Sequence, residues 1–309
     1  MVRREGPTTP EDGAHARRMT DAARRDALIG PRDWSVWSAD VERCMVAAPS
    51  GMLAHVGMGP SVGPRVLLVP GMTGSKEDFA LMMPLLAAVG YRAESFDLSG
   101  QYESCRAGPE RLSPPRRTYT LDLFVDDLIA VLERGRTPAH VLGYSFAGTV
   151  ASAAAVQRPE LFASLTLLSA PPFAGQALRG FRVLGPLSWA VPARALGPVF
   201  IAALRHNVHG AQADRATFVT ARFALTRPDS VGDILALMKR TPDLDERLRA
   251  SGIPILVATG AGDVWPNAAH RAYAERLDAR LLVLPTGHSP CETAPHQLTS
   301  AMLDLFEAV

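Results

Sequence analysis

Three short stretches of the chain contain residue types that acyl-transfer chemistry requires, in the order serine, acid, histidine. They are Ser145 in GYSFAG, Asp263 after TGAG, and His288 after TG. A serine hydroxyl alone is a poor nucleophile. It is activated when a histidine accepts its proton and a carboxylate orients that histidine. The order and residue types therefore predict a catalytic triad, provided that the fold brings these distant segments together.

Ser145 lies between a predicted strand, 139–144, and a helical run that begins at Phe146. Such a serine sits on a sharp turn, so the residues two before and two after it must be small. Here they are Gly143 and Ala147. The helix would direct backbone N–H groups and its positive dipole end towards the site. The position between a strand and a helix indicates a nucleophile turn, and the alternative is a small-residue turn with an incidental serine.

The proposed base and acid also follow predicted strands. His288 comes after the strand at 280–285, which would place it on a loop at the same sheet edge as the serine. Asp263 follows the strand at 254–260 by a glycine-rich turn. Because Pro266 opens the next helix, Asp263 could instead serve only as an N-cap.

Two backbone N–H groups are candidates for an oxyanion hole, which acyl transfer needs because negative charge develops on the carbonyl oxygen. One is the N–H of Phe146, next to the nucleophile. The other is the N–H of Met72, in the loop PGMTG at 70–74 that follows the strand at 65–70. The sequence around this loop lacks the spacing of a phosphate-binding loop.

These residues depend on an alternation of short apolar strands and helical segments, which is typical of a parallel sheet with helices on both faces. The predicted strands are 41–48 and 52–56 (a hairpin), 65–70, 91–98, 139–144, 165–169, 254–260 and 280–285. The predicted helical segments outside 172–250 include 76–89, 121–134, 146–157 and 294–308. Residues 172–250 contain no convincing strand. We interpret them as a helical cap near the carboxyl ends of the strands, where ligands bind in such sheets.

The composition of the chain argues against several classes of protein. The 309 residues are 47% hydrophobic and 20% charged with a net charge of +1, as in a globular protein with no general attraction to nucleic acid. Three cysteines without CxxC spacing (Cys44, Cys105, Cys291) argue against a disulfide framework or a zinc site and favour reduced thiols in the cytoplasm. Residues 1–30 are expected to be a polar, flexible tail with a short helix at 20–28, and their composition does not resemble a secretory signal. The apolar stretch at 183–204 is interrupted by prolines and an arginine, so no stable membrane insertion is expected.

Together these residues resemble the α/β-hydrolase fold superfamily, in its cap-bearing Ser-His-Asp branch, over about 50–309. Residues 97–104 (DLSGQYES) resemble the family's D-x-x-G-x-G-x-S loop, with Tyr102 where glycine is usual. Pro70 stands where histidine is common, and Ala147 replaces the last glycine of G-x-S-x-G. The resemblance implies an α/β fold with a mostly parallel eight-stranded sheet. Its core would comprise 31–171 and 251–309, with the cap inserted at 172–250.

The expected function is hydrolysis of a carboxylic ester or related acyl compound through an acyl-enzyme. No metal or organic cofactor is expected, and the substrate is a small molecule with an apolar acyl or alkyl part. The same triad could serve a thioesterase, an acyltransferase, or a C–C hydrolase or lyase of secondary metabolism. A non-catalytic small-molecule receptor is the alternative of another class. Dehalogenases and epoxide hydrolases of this superfamily use aspartate where this chain has Ser145, so those activities are not expected.

The cap region carries one further pattern. Between Leu161 and Ala213 there is no acidic residue, whereas four arginines lie among dense apolar residues: Arg179, Arg182, Arg194 and Arg205. One interpretation is a lid whose arginine stems cover apolar surface. A second is an apolar pocket with a cationic rim that favours acyl groups with an anionic or polar end, and a third is a membrane-facing surface.

Overall fold

The computed structural model describes residues 10–180 and 213–308, and these contain one eight-stranded sheet in the order β1-β2-β4-β3-β5-β6-β7-β8. The strands are β1 Glu42–Ala48, β2 Gly51–Met58, β3 Arg65–Val69, β4 Arg92–Phe96, β5 Ala139–Tyr144, β6 Phe162–Leu168, β7 Ile255–Gly260 and β8 Arg280–Leu284. β2 pairs antiparallel with β1 and β4, and the remaining neighbours are parallel. The mostly parallel eight-stranded sheet predicted from the sequence is therefore confirmed.

Helices cover both faces of this sheet. The α-helices of the described residues are α1 Pro10–Asp26, α2 Met82–Ala88, α3 Leu121–Glu133, α4 Phe146–Gln157, α5 Ala213–Leu225, α6 Pro228–Met238, α7 Asp245–Ala250, α8 Asn267–Leu277, α9 Pro290–Thr293 and α10 Pro295–Phe306. Successive residues of a strand point to opposite faces. In β3, Leu67 therefore joins the apolar core containing α3, α4 and α8, while Leu68 joins the core containing α2 and α10.

Outside residues 1–30, two predicted elements differ from the observed ones by more than two residues at one end. The predicted helix at 76–89 is a 3₁₀ turn, Lys76–Phe79, followed by α2. The break follows from Pro84, which lacks an N–H and is tolerated only in the first turn of a helix. β6 begins at Phe162, three residues before the predicted start, because its pairing with β5 extends back to Ala139.

The N-terminal segment has more regular structure than the short helix expected at 20–28. α1 spans seventeen residues and lies against α10. Asp304 of α10 accepts hydrogen bonds from His15 and Arg18 of α1, each at 2.7 Å. The carboxylate of Asp26 accepts four hydrogen bonds at the start of α10.

The described part of the insertion at 172–250 contains a 3₁₀ turn, Ala177–Gly180, and the helices α5, α6 and α7. Two arginines of α5 reach the core, where Arg215 and Arg222 both bind the buried carboxylate of Asp78. Arg215 also binds Glu292 of α9. Arg182, Arg194 and Arg205 and the side chain of Arg179 lie outside the described residues, so the expectation of a cationic rim falls there.

No helix in the ranges 10–180 and 213–308 is long and apolar enough to cross a bilayer. The three cysteines are free thiols, and only Cys291 is buried.

Candidate active site

Ser145 occupies a strained turn between β5 and α4. Its φ of 53° and ψ of −123° lie outside the regions that L-residues prefer, which costs of order 1–3 kcal/mol. The turn is held from the neighbouring strand, because the N–H of Ser145 donates to the carbonyl of Leu168 at 2.8 Å. A Cβ on Gly143 would lie 2.5 Å from the carbonyl oxygen of Ala147. The crowding expected around the serine is therefore present, and small residues are required there.

The three residues singled out by the sequence form one hydrogen-bonded chain. The Oγ of Ser145 lies 3.2 Å from Nε2 of His288, and Nδ1 of His288 lies 3.2 Å from Oδ1 of Asp263. An ionised carboxylate can only accept hydrogen bonds, so Nδ1–H donates to Asp263 and Nε2 is left to accept from the serine. The structure thus brings the three residues together in the geometry of a base-activated nucleophile, while their catalytic roles stay predictions.

Asp263 is buried beneath the histidine. Besides His288, its carboxylate accepts from the hydroxyl of Thr259 at 2.9 Å and from the backbone N–H of Trp265 at 3.0 Å. Burial alone would raise the pKa of the carboxyl, but the neighbouring His270 and His288 rings hold the pKa well below its usual range. The N-cap of α8 is Pro266, so Asp263 does not cap that helix.

The loop that carries Met72 approaches the nucleophile closely. A Cβ on Gly71 would lie 2.9 Å from the Cβ of Ser145 and 3.0 Å from the carbonyl oxygen of Tyr144. Among the described residues, the N–H of Met72 has no hydrogen-bond acceptor. The N–H of Phe146 opens α4 and lacks an acceptor within the helix. Both N–H groups that the sequence suggested as oxyanion donors therefore lack an acceptor among the described residues.

The loop after β4 is tied to the residues that follow the Met72 loop. The carboxylate of Asp97 accepts from the N–H of Lys76 at 2.8 Å and from the Lys76 ammonium at 3.0 Å. Tyr102, which stands where the related motif has glycine, has a φ of 39°. This left-handed backbone explains why glycine is usual there, and the Lys76 ammonium lies 4.9 Å from the centre of the Tyr102 ring.

Several residues of the site were not singled out by the sequence. Tyr144 joins the nucleophile turn to the histidine loop, since its hydroxyl lies 2.7 Å from that of Ser289. His270 is fully buried with Nε2 3.9 Å from Asp263, longer than a hydrogen bond. Gln101 accepts a hydrogen bond from the backbone of Thr73. For Gln101 a signal was present, because it is a polar residue in a glycine-containing loop at the carboxyl end of β4.

Comparison with known proteins supports the fold and a coarse class. A family model described as the alpha/beta hydrolase family matches residues 66–301. A Variovorax paradoxus (strain S110) protein that carries the name carbamate hydrolase RutD is 29% identical over 262 residues, which cover 81% of this chain and 94% of that protein.

Solved structures with a similar fold include enzymes of different chemistry. A thermophilic esterase from Thermogutta terrifontis has a TM-score of 0.64 at 21% identity and covers 86% of this chain and 98% of its own. The epoxide hydrolase VrEH1 from Vigna radiata has a TM-score of 0.66 at 16% identity and covers 87% and 99%. At these identities the likeness concerns the fold alone.

Proposed function

The chain belongs to the alpha/beta hydrolase family, and we propose that it is a serine hydrolase that cleaves a carboxylic ester or a related acyl compound. The observation that carries this proposal is the hydrogen-bonded chain from Ser145 through His288 to the buried Asp263. A hydrolase with serine at this turn forms an acyl-enzyme, which separates it from the relatives that use aspartate.

The proposed reaction has two halves. The Oγ of Ser145 attacks the carbonyl carbon while Nε2 of His288 takes its proton, and the N–H groups of Met72 and Phe146 stabilise the oxyanion. The tetrahedral intermediate collapses, the bond to the leaving group breaks, and His288 returns the proton to that group. His288 then deprotonates a water molecule, which attacks the acyl-enzyme carbonyl. The second tetrahedral intermediate collapses, the bond between the acyl carbon and the Oγ of Ser145 breaks, the acid leaves, and His288 returns the proton to the serine oxygen. Asp263 keeps the imidazole in the required tautomer throughout, and no metal or organic cofactor takes part.

The carbonyl substrate could be an ester, a thioester or a carbamate, because the same steps act on each. The relative named for carbamate hydrolysis is the specific reason to include carbamates. Acyl transfer to another acceptor and C–C bond cleavage would use the same residues. A non-catalytic receptor would have no requirement for a hydrogen-bonded serine and histidine.

The test is a panel of p-nitrophenyl esters of graded chain length, extended with a thioester and a carbamate, together with a fluorophosphonate probe. Ser145→Ala is expected to lower turnover of the best substrate by about 10³-fold or more and to abolish labelling. The matched control is Ser61→Ala, in the exposed turn between β2 and β3, at the sheet edge opposite the nucleophile. Equal turnover by the Ser145 variant and the wild-type protein would refute the proposal, as would probe attachment at another residue.

A further inference from the structure

The loop proposed to hold one oxyanion donor is conformationally strained. Thr73 has a φ of 62°, an outlier for a β-branched residue. The N–H of Gly74 donates to the carbonyl of Gly71 at 3.0 Å, which closes a tight turn around Met72 and Thr73. Such a conformation persists only where the surroundings hold it.

Gln101 holds this loop from outside. Its side chain is fully buried, and its Oε1 accepts from the N–H of Thr73 at 2.9 Å. Its Nε2 donates to the hydroxyl of Ser230 at 2.6 Å, and that hydroxyl donates to the carbonyl of Ser99 at 3.3 Å. Because Thr73 N–H can only donate, the orientation of the amide is fixed. A rotated amide would leave buried polar groups unpaired.

Ser230 belongs to α6, so the far end of this connection lies in the insertion at 172–250. Two further hydrogen bonds join the loop after β4, which carries Gln101, to the insertion. The N–H of Arg227 donates to the carbonyl of Gly100 at 2.9 Å, and the N–H of Tyr102 donates to the hydroxyl of Thr226 at 3.3 Å. Of these three connections, the one through Gln101 continues to the loop beside the nucleophile.

We propose that Gln101 is a positioning residue for the oxyanion hole, and that it makes the aim of the Met72 N–H depend on the docking of the insertion. The inference rests on the proposed function. The amide of Gln101 fixes the peptide between Met72 and Thr73, and Ser230 fixes the amide. The docking of the insertion therefore affects the rate of the chemical step.

The test compares Gln101→Met, which has a similar length and neither polar atom, with Gln101→Glu, which keeps the acceptor for Thr73. The matched control is Gln297→Met. Gln297 is also buried and makes one side-chain hydrogen bond, but to Asp26 at the junction of α1 and α10. Ser230→Ala removes the hydroxyl through which Gln101 contacts the insertion and leaves the hydrogen bond between Thr73 and Gln101 in place.

Removal of one oxyanion donor lowers kcat by about 10²–10³-fold, and a misdirected donor should cost less, so we expect Gln101→Met to lower kcat by about 10–100-fold. KM should change little, since the loss falls on the transition state. Affinity for a boronic acid, whose oxygen occupies the same hole, should fall with kcat. Gln101→Glu should lower kcat less than Gln101→Met does, because it keeps the acceptor for Thr73. Ser230→Ala should also lower kcat less than Gln101→Met does.

Equal kcat and boronic acid affinity for Gln101→Met and Gln297→Met would overturn the inference while the wild-type protein remains active. If Gln101→Met does not fold, the other two variants provide the test. A kcat of Ser230→Ala equal to that of the wild-type protein, together with a kcat of Gln101→Glu equal to that of Gln297→Met, would overturn the inference in the same way. A wild-type protein that neither hydrolyses the panel nor reacts with the probe at Ser145 would refute the proposed function itself.

Discussion

Gly260 ends β7 at the point where the loop bearing His288 crosses it. A Cβ at this position would overlap the carbonyl oxygen of Gly287 and lie 2.5 Å from that of Thr286. The contact is backbone against backbone, so neither side can yield by a change of rotamer. Glycine is needed here for space, and that space lets the imidazole come within reach of Asp263.

We expect Gly260→Ala to displace the His288 loop and lower kcat by about 10–100-fold, since a shift of about 1 Å at a catalytic group can cost 10²-fold. Steady-state kinetics and thermal unfolding should be measured together. The control is Gly30→Ala, where an added Cβ meets no atom within 4 Å. Wild-type kcat in the Gly260 variant would show that the loop position is not set by this contact.

At the scale of single residues, the sequence predicts the side chains that directly follow strands. Ser145, Asp263 and His288 each follow a strand, so strand positions alone bring them to one edge of the sheet. The role of Gln101 depends on Thr73 and Ser230, which lie 28 and 129 residues away along the chain. Such pairings follow from how loops dock, which periodicity does not encode.

At the scale of elements, β4 carries a carboxylate that is largely but not fully buried. Glu94 lies 2.7 Å from the guanidinium of Arg65 and 3.3 Å from both His55 and Arg92. Burial would raise the pKa of Glu94, but these donors and cations outweigh it and lower the pKa to about 2. The cluster fastens β3 and β4 to β2.

We expect Glu94→Gln to lower the free energy of unfolding at pH 7 by about 3 kcal/mol, from a pKa near 4.3 when unfolded and about 2 when folded. A lowered pKa contributes stability above the unfolded value, and this is lost as pH falls from about 4 towards 2. The difference from wild type should therefore shrink over that range.

Urea unfolding between pH 7 and pH 3 measures this difference. Glu160→Gln is the control, because Glu160 pairs with Arg158 on the surface, where such ion pairs contribute little. A difference that stays constant with pH would assign the effect of Glu94 to packing.

Apolar runs and helical spacing in the sequence predicted which segments are strands and which are helices. They did not predict where some of these elements begin. The early start of β6 is a tertiary effect, because Phe162 pairs with Ala139 of β5. The long α1 was also missed, because its polar sequence is stabilised by contacts with α10.

At the scale of the whole molecule, the N-terminal segment joins parts that are far apart in sequence. Asp26 caps α10 through the backbone N–H groups of His296 and Gln297, at 2.9 and 3.1 Å. Further along, the ring of Trp34 lies 4.4 Å from the guanidinium of Arg215, which binds Asp78. The segment thus contacts both the last helix and the insertion.

We expect Asp26→Ala to lower the free energy of unfolding by about 1–2 kcal/mol, since it removes an N-terminal cap and leaves N–H groups of α10 unpaired. Urea denaturation measures the change. Asp21→Ala on the same helix is the control, because Asp21 is exposed and, within the ranges that the structure describes, its ion pair is with Arg24. Equal stability of the two variants would contradict a capping role.

The insertion leaves the sheet after β6 and returns at β7, and these two strands pair directly, with Leu165 opposite Ile255. Its two ends are therefore anchored at neighbouring strands whatever the length of chain between them. Chimeras that exchange this segment between relatives should keep the sheet intact, together with the positions of Ser145, Asp263 and His288. A graft that brings a new pocket should keep a hydroxyl at position 230 and the two arginines that face Asp78, or the transplanted segment will change the catalytic rate along with the substrate range.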